Sequence, residues 1–139
     1  MNVLLPDYGI TSIGAHNLDQ RRNMTRMWMV DPEIMCQQHL LGEHFESHVI
    51  ATNIKRGRGI AGFIKINAIE PQSVKRRHDE LVSEMERRGM KHNSPLDFTT
   101  DIYPDFKIDR EVSLKLLVER CPRCAERLRS RNDRKAVQT

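Results

Sequence analysis

The chain has 139 residues, of which 30% are charged and 38% hydrophobic, and its net charge is +4. This length suits one domain with a modest core, and no segment approaches the roughly 20 consecutive apolar residues that span a membrane. Three cysteines are too few for a disulfide framework. We therefore expect a cytoplasmic protein without a membrane partner.

Composition divides the chain into three parts. Residues 1–23 lack a clear hydrophobic period, and we interpret them as an N-terminal extension that is either disordered or not translated in the native protein. The domain itself is expected at 24–119. Residues 120–139 form a basic C-terminal tail, and its charge favours a polyanionic partner, most simply nucleic acid. The alternative for this segment is a solvated terminus.

The sequence Asp31-Pro32-Glu33 predicts the start of the first main helix. Aspartate accepts hydrogen bonds at an N-cap, and proline fits the first helical position because it has no N–H group to leave unpaired. The helix is expected to run to residue 45 or 47, and a shorter helix is predicted at 48–55. The expected buried residues of the first helix are Ile34, Leu41 and Phe45.

Two further main helices are predicted downstream. After an irregular, packed connection at 60–69, an apolar stripe with charges opposite predicts a helix at 73–88 that ends at Gly89. The stripe consists of Val74, Leu81, Val82 and Met85. His78 falls among these charges, and we interpret it as a phosphate contact or a solvated residue. A loop at 92–106 and a third main helix at 109–118 follow. The expectation is an all-α fold, a single compact domain of three main helices with irregular connections.

Residues before and within the first predicted helix stand in a specific order. Thr25 and Arg26 directly follow Met24, Gln38-His39 comes thirteen residues after Thr25, and Glu46 lies near the end of that helix. In this order and spacing the chain resembles the phage endonuclease V family, the pyrimidine-dimer DNA glycosylases with AP-lyase activity. A second block, residues 76–89, resembles that family's long helix with its basic, glycine-terminated end. The resemblance covers about residues 24–97.

The resemblance implies a catalytic pair, Thr25 and Glu46. The α-amine of Thr25 would attack C1′ of the damaged nucleotide's sugar, and Glu46 would orient the amine and assist proton transfers. An α-amine has a pKa of ~7.7–8.0, against ~10.4 for lysine, so a useful fraction is unprotonated at neutral pH. The covalent imine would release the base and allow β-elimination at the abasic site. Because this amine must be free, Met24 is the expected start of the native protein.

The resemblance also implies a partner, double-stranded DNA that contains damaged bases or abasic sites. It implies a monomer without a cofactor, in the cytoplasm of a phage-infected or bacterial host. Phosphate and strand contacts are implied for Arg26, Gln38 and His39. Positive charge adds two groups of candidate DNA contacts. Lys55, Arg56 and Arg58 lie beside Gly57 and Gly59, and Arg123 and Arg127 lie in the tail. The alternative for the glycine-containing segment is a flexible turn with solvated charges.

Some residues depart from the family's pattern. Phe45 stands where the family has an arginine immediately before the catalytic glutamate, and His48 is the nearest polar substitute for another phosphate-binding arginine. The family's aromatic, lysine-containing C-terminal loop, which helps to recognise the pyrimidine dimer, is replaced by Cys121-Pro122-Arg123-Cys124 and arginine-rich sequence. The sequence therefore does not identify which DNA lesion is excised.

The pair Cys121 and Cys124 has three interpretations. Two ordinary thiols near a helix end are the default, with no metal, and a redox centre would need a βαβ context that this chain lacks. Half of a zinc site would need two more ligands. The candidates for these are His44 with His48, an i, i+4 pair, and also Cys36 or His92. If the chain begins at Met1, the alternative function is a non-catalytic DNA-binding module, with or without zinc.

Overall fold

The computed structural model describes residues 26–138, and all regular secondary structure in this range is helical. The all-α prediction is therefore confirmed. The helices are α1 (Gln37–Lys55), α2 (Ala61–Lys65), α3 (Val74–Arg87), α4 (Arg110–Arg120) and α5 (Pro122–Gln138), with short 3₁₀ turns at Pro32–Ile34 and Pro71–Ser73. None of the helices in this range is long and apolar enough to cross a membrane. The predicted extension at 1–23 lies outside the described residues.

The predicted boundaries of the first helix are wrong, although Asp31 does act as a capping residue. The Asp31 carboxylate accepts a hydrogen bond from the Glu33 N–H at 2.9 Å, but it caps only the 3₁₀ turn. The backbone is then extended at Met35 and Cys36, with ψ of 135° and 164°. Helix α1 begins after this break and continues without interruption through the segment that was predicted as a separate short helix.

The predicted buried face of this helix is also wrong. Leu41 and Phe45 are 38% and 64% exposed, whereas Ile34 is buried in the 3₁₀ turn. The buried residues of α1 are Leu40, Glu43, Ser47, Ile50, Ala51 and Ile54. An apolar pattern could not identify this face because two of its central members are polar and find their hydrogen-bond partners inside the protein.

A buried ion pair joins α1 to α3, which pack along each other. Arg77 is 1% exposed, and its Nε and Nη2 atoms donate to the Glu43 carboxylate at 2.7 and 2.9 Å. Its Nη1 atom donates to the Val30 carbonyl at 2.7 Å. The α3 stripe is buried as predicted at Val74, Leu81 and Met85. On the same side of the helix, three and four residues after Val74, Arg77 and His78 are also buried, so the prediction of a solvated His78 is wrong.

An irregular segment leads the chain into the 3₁₀ turn, and hydrogen bonds to its backbone fix its path. Met27 N–H donates to the Ala68 carbonyl at 2.7 Å. The Trp28 carbonyl accepts a hydrogen bond from the Ser113 hydroxyl at 2.5 Å, and the Met29 carbonyl accepts one from Arg110 at 2.8 Å. These contacts come from the α2–α3 connection and from α4. The path of the chain immediately after Arg26 is therefore determined by distant parts of the sequence.

Residues 122–138, which the sequence suggested to be a tail, form α5. This helix packs against α4 and the first 3₁₀ turn. Arg127 donates from Nε and Nη2 to the Glu33 carbonyl at 3.1 and 2.9 Å, and Arg131 pairs with Asp31. The C-terminal arginines thus bind carbonyl and carboxylate oxygens at the 3₁₀ turn, and this interaction keeps α5 on the domain.

Candidate functional site

The first turn of α1 gathers four of the residues that were predicted to bind DNA. The Arg26 guanidinium lies over the Trp28 indole, 4.7 Å from its centroid, and Trp28 meets the His39 ring edge-on at 5.8 Å. On the same turn, Gln38 accepts a hydrogen bond from Arg123 at 2.7 Å. Arg123 belongs to α5, so the tertiary structure joins cations from both ends of the described chain.

Glu46 lies on the same side of α1 as His39. Seven residues separate them, which corresponds to about two helical turns and about 10.5 Å along the axis. Gly42 lies between them, and a Cβ atom at this position would meet nothing within 4 Å. The surface from His39 to the half-buried Glu46 is therefore not covered by a side chain at Gly42. Thr25 lies outside the described residues, and its pairing with Glu46 stays a prediction.

The remaining predicted DNA contacts separate into two groups. Lys55, Arg56 and Arg58 are exposed at the far end of α1, about 26 Å from Gln38. Arg58 donates to the Asn53 side chain at 2.8 Å, and Gly57, with φ of +74°, forms the turn that reverses the chain there. Arg127 instead faces inward, toward the Glu33 carbonyl. Positive charge therefore lies at both ends of α1, with Glu46 between them.

Three thiols and one imidazole form a compact cluster beside the first turn of α1, the Cys₃His cluster. Its members are Cys36, His39, Cys121 and Cys124, and their ligand atoms all lie within 4.8 Å of one another. All three thiols are free and buried. Burial, assisted by the positive charge of Arg123, lowers the pKa of His39, so its imidazole is neutral at neutral pH. A neutral imidazole has a lone pair available for a ligand.

Four imidazoles form a second cluster between α1, α3 and the loop that follows α3, the His₄ cluster. Its members are His44, His48, His78 and His92, again with ligand atoms within 4.8 Å. In five of the six ring pairs the centroids are 4.8 to 5.2 Å apart. Burial and the three neighbouring imidazoles lower the pKa of His44 to about 4. This ring is therefore neutral at neutral pH.

The two clusters correct the predicted combination of metal ligands. His44 and His48 do not complete a site with Cys121 and Cys124, because the two pairs belong to different clusters. Cys36 was named only as an alternative ligand, and His39 was assigned to DNA. The sequence contains the i, i+3 spacing of Cys36 and His39, which places them on one helical side, but it gives no sign that α5 covers this position.

A comparison with protein families identifies the chain. The family model described as pyrimidine dimer DNA glycosylase matches residues 25–98, which is more than half of the sequence. The chain belongs to this family. It is therefore assigned to DNA repair, with damaged DNA as its class of substrate. The match includes the His₄ cluster and Glu46, but it ends before α4 and α5. Neither a curated protein nor a solved structure gave a match.

Proposed function

We propose that the protein is a bifunctional pyrimidine-dimer DNA glycosylase and AP lyase that acts through the α-amine of Thr25 and the carboxylate of Glu46. The observation that carries this proposal is the register of Gln38, His39 and Glu46 within the matched segment, counted from Thr25. The geometry of α1 supports it, since His39 and Glu46 share one side of the helix and Arg26 lies against the same first turn.

The proposed reaction has two covalent stages. The unprotonated amine attacks C1′, the N-glycosidic bond breaks, and the base leaves with the bonding electrons and gains a proton. Opening of the sugar ring then gives an imine between C1′ and the amine, and the ring oxygen is protonated. A base removes the C2′ proton, the C3′–O bond breaks, and the phosphate leaves. Water finally hydrolyses the imine and restores the amine. Glu46 would transfer the protons in these steps.

Positively charged groups at both ends of α1 support binding of the double helix. Arg26 and Arg123 lie at one end, and Lys55, Arg56 and Arg58 lie at the other, about 26 Å away. This separation corresponds to about seven or eight base pairs at 3.4 Å per step along one strand. We propose that these cations contact phosphates on either side of the lesion, so that Glu46 faces the damaged nucleotide between them.

Borohydride trapping tests the nucleophile. Protein that begins at Thr25 is expected to form a covalent adduct with duplex DNA containing one abasic site when borohydride is present, because borohydride reduces an imine to a stable amine. The matched control is the 139-residue chain with residues 1–24 retained, in which the Thr25 nitrogen is an amide and no adduct is expected. Absence of an adduct with the protein that begins at Thr25 would contradict the proposed mechanism.

A second candidate function is a DNA-binding module without lyase activity. It applies if the native protein retains residues 1–24, and the cations around α1 favour it as much as they favour the enzyme. The intact mass of the native protein distinguishes the two functions. A mass that corresponds to residues 25–139 supports the enzyme, and a mass that includes residues 1–24 supports the binding module.

A further inference from the structure

Distances within the Cys₃His cluster match those of a tetrahedral metal centre. The sulfur atoms of Cys36 and Cys121 are 3.8 Å apart, and His39 Nδ1 lies 3.3 Å from Cys36 Sγ and 3.7 Å from Cys124 Sγ. For Zn–S bonds of about 2.3 Å and Zn–N bonds of about 2.0–2.1 Å, tetrahedral geometry places sulfurs about 3.8 Å apart and a sulfur about 3.6 Å from a nitrogen. A disulfide would need sulfurs at about 2.05 Å.

Backbone N–H groups donate to these sulfurs, as in known metal–thiolate centres. Cys36 N–H donates to Cys124 Sγ at 3.3 Å, and Cys124 N–H donates to Cys121 Sγ at 3.4 Å. Such bonds stabilise negative charge on sulfur and orient the ligands. The extended backbone at Cys36, which separates the 3₁₀ turn from α1, is what directs this N–H toward the cluster.

We propose that Cys36, His39, Cys121 and Cys124 bind one zinc ion. The ion joins the start of α1 to the α4–α5 junction, so it stabilises the position of α5 and of Arg123 beside Gln38. Coordination through Nδ1 also fixes the His39 ring against Trp28 and leaves Nε2 available for a phosphate. Zinc binding in this site does not depend on the proposed lyase chemistry.

The His₄ cluster provides an independent argument for a second ion. The Nε2 atoms of His44, His48 and His92 are buried and have no hydrogen-bond partner among the described residues. A buried polar atom without a partner destabilises the folded protein, and one metal ion would satisfy all three. His78 Nδ1 lies 2.8 Å from an Asp79 carboxylate oxygen, the pairing that commonly orients a metal-binding histidine, and its Nε2 lies 3.1 Å from the Ser94 carbonyl oxygen, a contact that metal binding would replace.

We infer from this arrangement that the His₄ cluster binds one divalent transition-metal ion, of the class that prefers imidazole ligands. The ion joins His92 of the loop to α1 and α3. Glu46 is two residues from both His44 and His48, so it points to nearly the opposite side of α1. The site is therefore separate from the proposed lyase centre.

Metal analysis of the purified full chain tests the two sites together. After equilibration with excess Zn²⁺ and removal of the unbound metal, we expect two zinc ions per chain. Cys121→Ser should leave one, and His92→Asn should also leave one. The control Asn93→Ala changes an exposed neighbour on the same loop and should retain two. Wild-type content in His92→Asn would overturn the His₄ proposal, and wild-type content in Cys121→Ser would overturn the Cys₃His proposal.

Cobalt substitution identifies the ligands even if a variant fails to fold. Metal-free wild-type protein titrated with Co²⁺ is expected to show tetrahedral cobalt bands and near-ultraviolet sulfur-to-metal charge transfer. The intensity of the charge-transfer band should stop rising at one Co²⁺ per chain. A second Co²⁺ should bind without increasing this intensity, because the His₄ cluster has no sulfur ligand. Absence of charge transfer would contradict the Cys₃His site. Saturation of all binding at one ion would contradict the His₄ site.

Discussion

Glu46→Gln is expected to reduce strand cleavage at an abasic site by about 10²–10⁴-fold, because a positioned acid–base group contributes a factor of this size. The amide has nearly the same shape as the carboxylate but cannot accept a proton. Binding to the same duplex should be unchanged or slightly tighter, since one negative charge near the phosphates is removed. Single-turnover cleavage and a dissociation constant measured at one fixed salt concentration, both with protein that begins at Thr25, provide the comparison.

The matched control for this variant is Glu86→Gln. Glu86 is exposed on α3. Its replacement by glutamine is the same chemical change, made outside the proposed site. Its cleavage rate should equal that of the wild type. A Glu46→Gln variant that cleaves at the wild-type rate would contradict the role of this carboxylate. Loss of DNA binding together with cleavage would instead indicate that Glu46 supports the structure of α1.

Arg77→Met is expected to lower the free energy of unfolding by about 3–5 kcal/mol, because it leaves the buried Glu43 carboxylate without its partner. Glu43 has a fully buried side chain, and Arg77 also satisfies the Val30 carbonyl before the 3₁₀ turn. Urea denaturation followed by circular dichroism measures the change. Replacing both partners, as Glu43→Leu with Arg77→Met, should cost less than the single change because no buried charge remains.

An exposed ion pair on the same helix provides the control. Lys75 and Asp79 are 2.9 Å apart, with side chains 45% and 54% exposed. Lys75→Met should change the free energy of unfolding by only about 0–1 kcal/mol, since water screens such a pair. Equal losses for Lys75→Met and Arg77→Met would contradict the conclusion that burial makes the Glu43–Arg77 pair important for stability.

Helix α1 combines several roles on different sides. Glu43, Ser47 and the apolar residues near them pack inward, whereas His39 and Glu46 share the side proposed to face DNA. The His₄ residues on α1 occupy a third side, next to α3. This division explains why the helix lacks a simple apolar stripe, because each side is selected for a different contact and only part of one side is hydrophobic.

Local sequence determined the features that depend on neighbouring residues. Asp31 caps the turn that follows it, the α3 stripe predicts its burial at Val74, Leu81 and Met85, and Gly89, with φ of +85°, ends that helix. The spacing from Thr25 to Glu46 identified the family without any coordinates. In each case the relevant information lies within about 20 residues, which is the range that helical periodicity and a motif can report.

Tertiary structure alone decided the features that depend on distant residues. The break at Cys36, the burial of Arg77 and the docking of α5 each require a partner far away in the chain. The four residues of the Cys₃His cluster come together from positions 36–39 and 121–124, whereas the sequence alone favoured ordinary thiols without a metal and named His44 with His48 first as candidate partners for a zinc site. Polar contacts of this kind have no period along the chain, because their positions follow from how the helices pack.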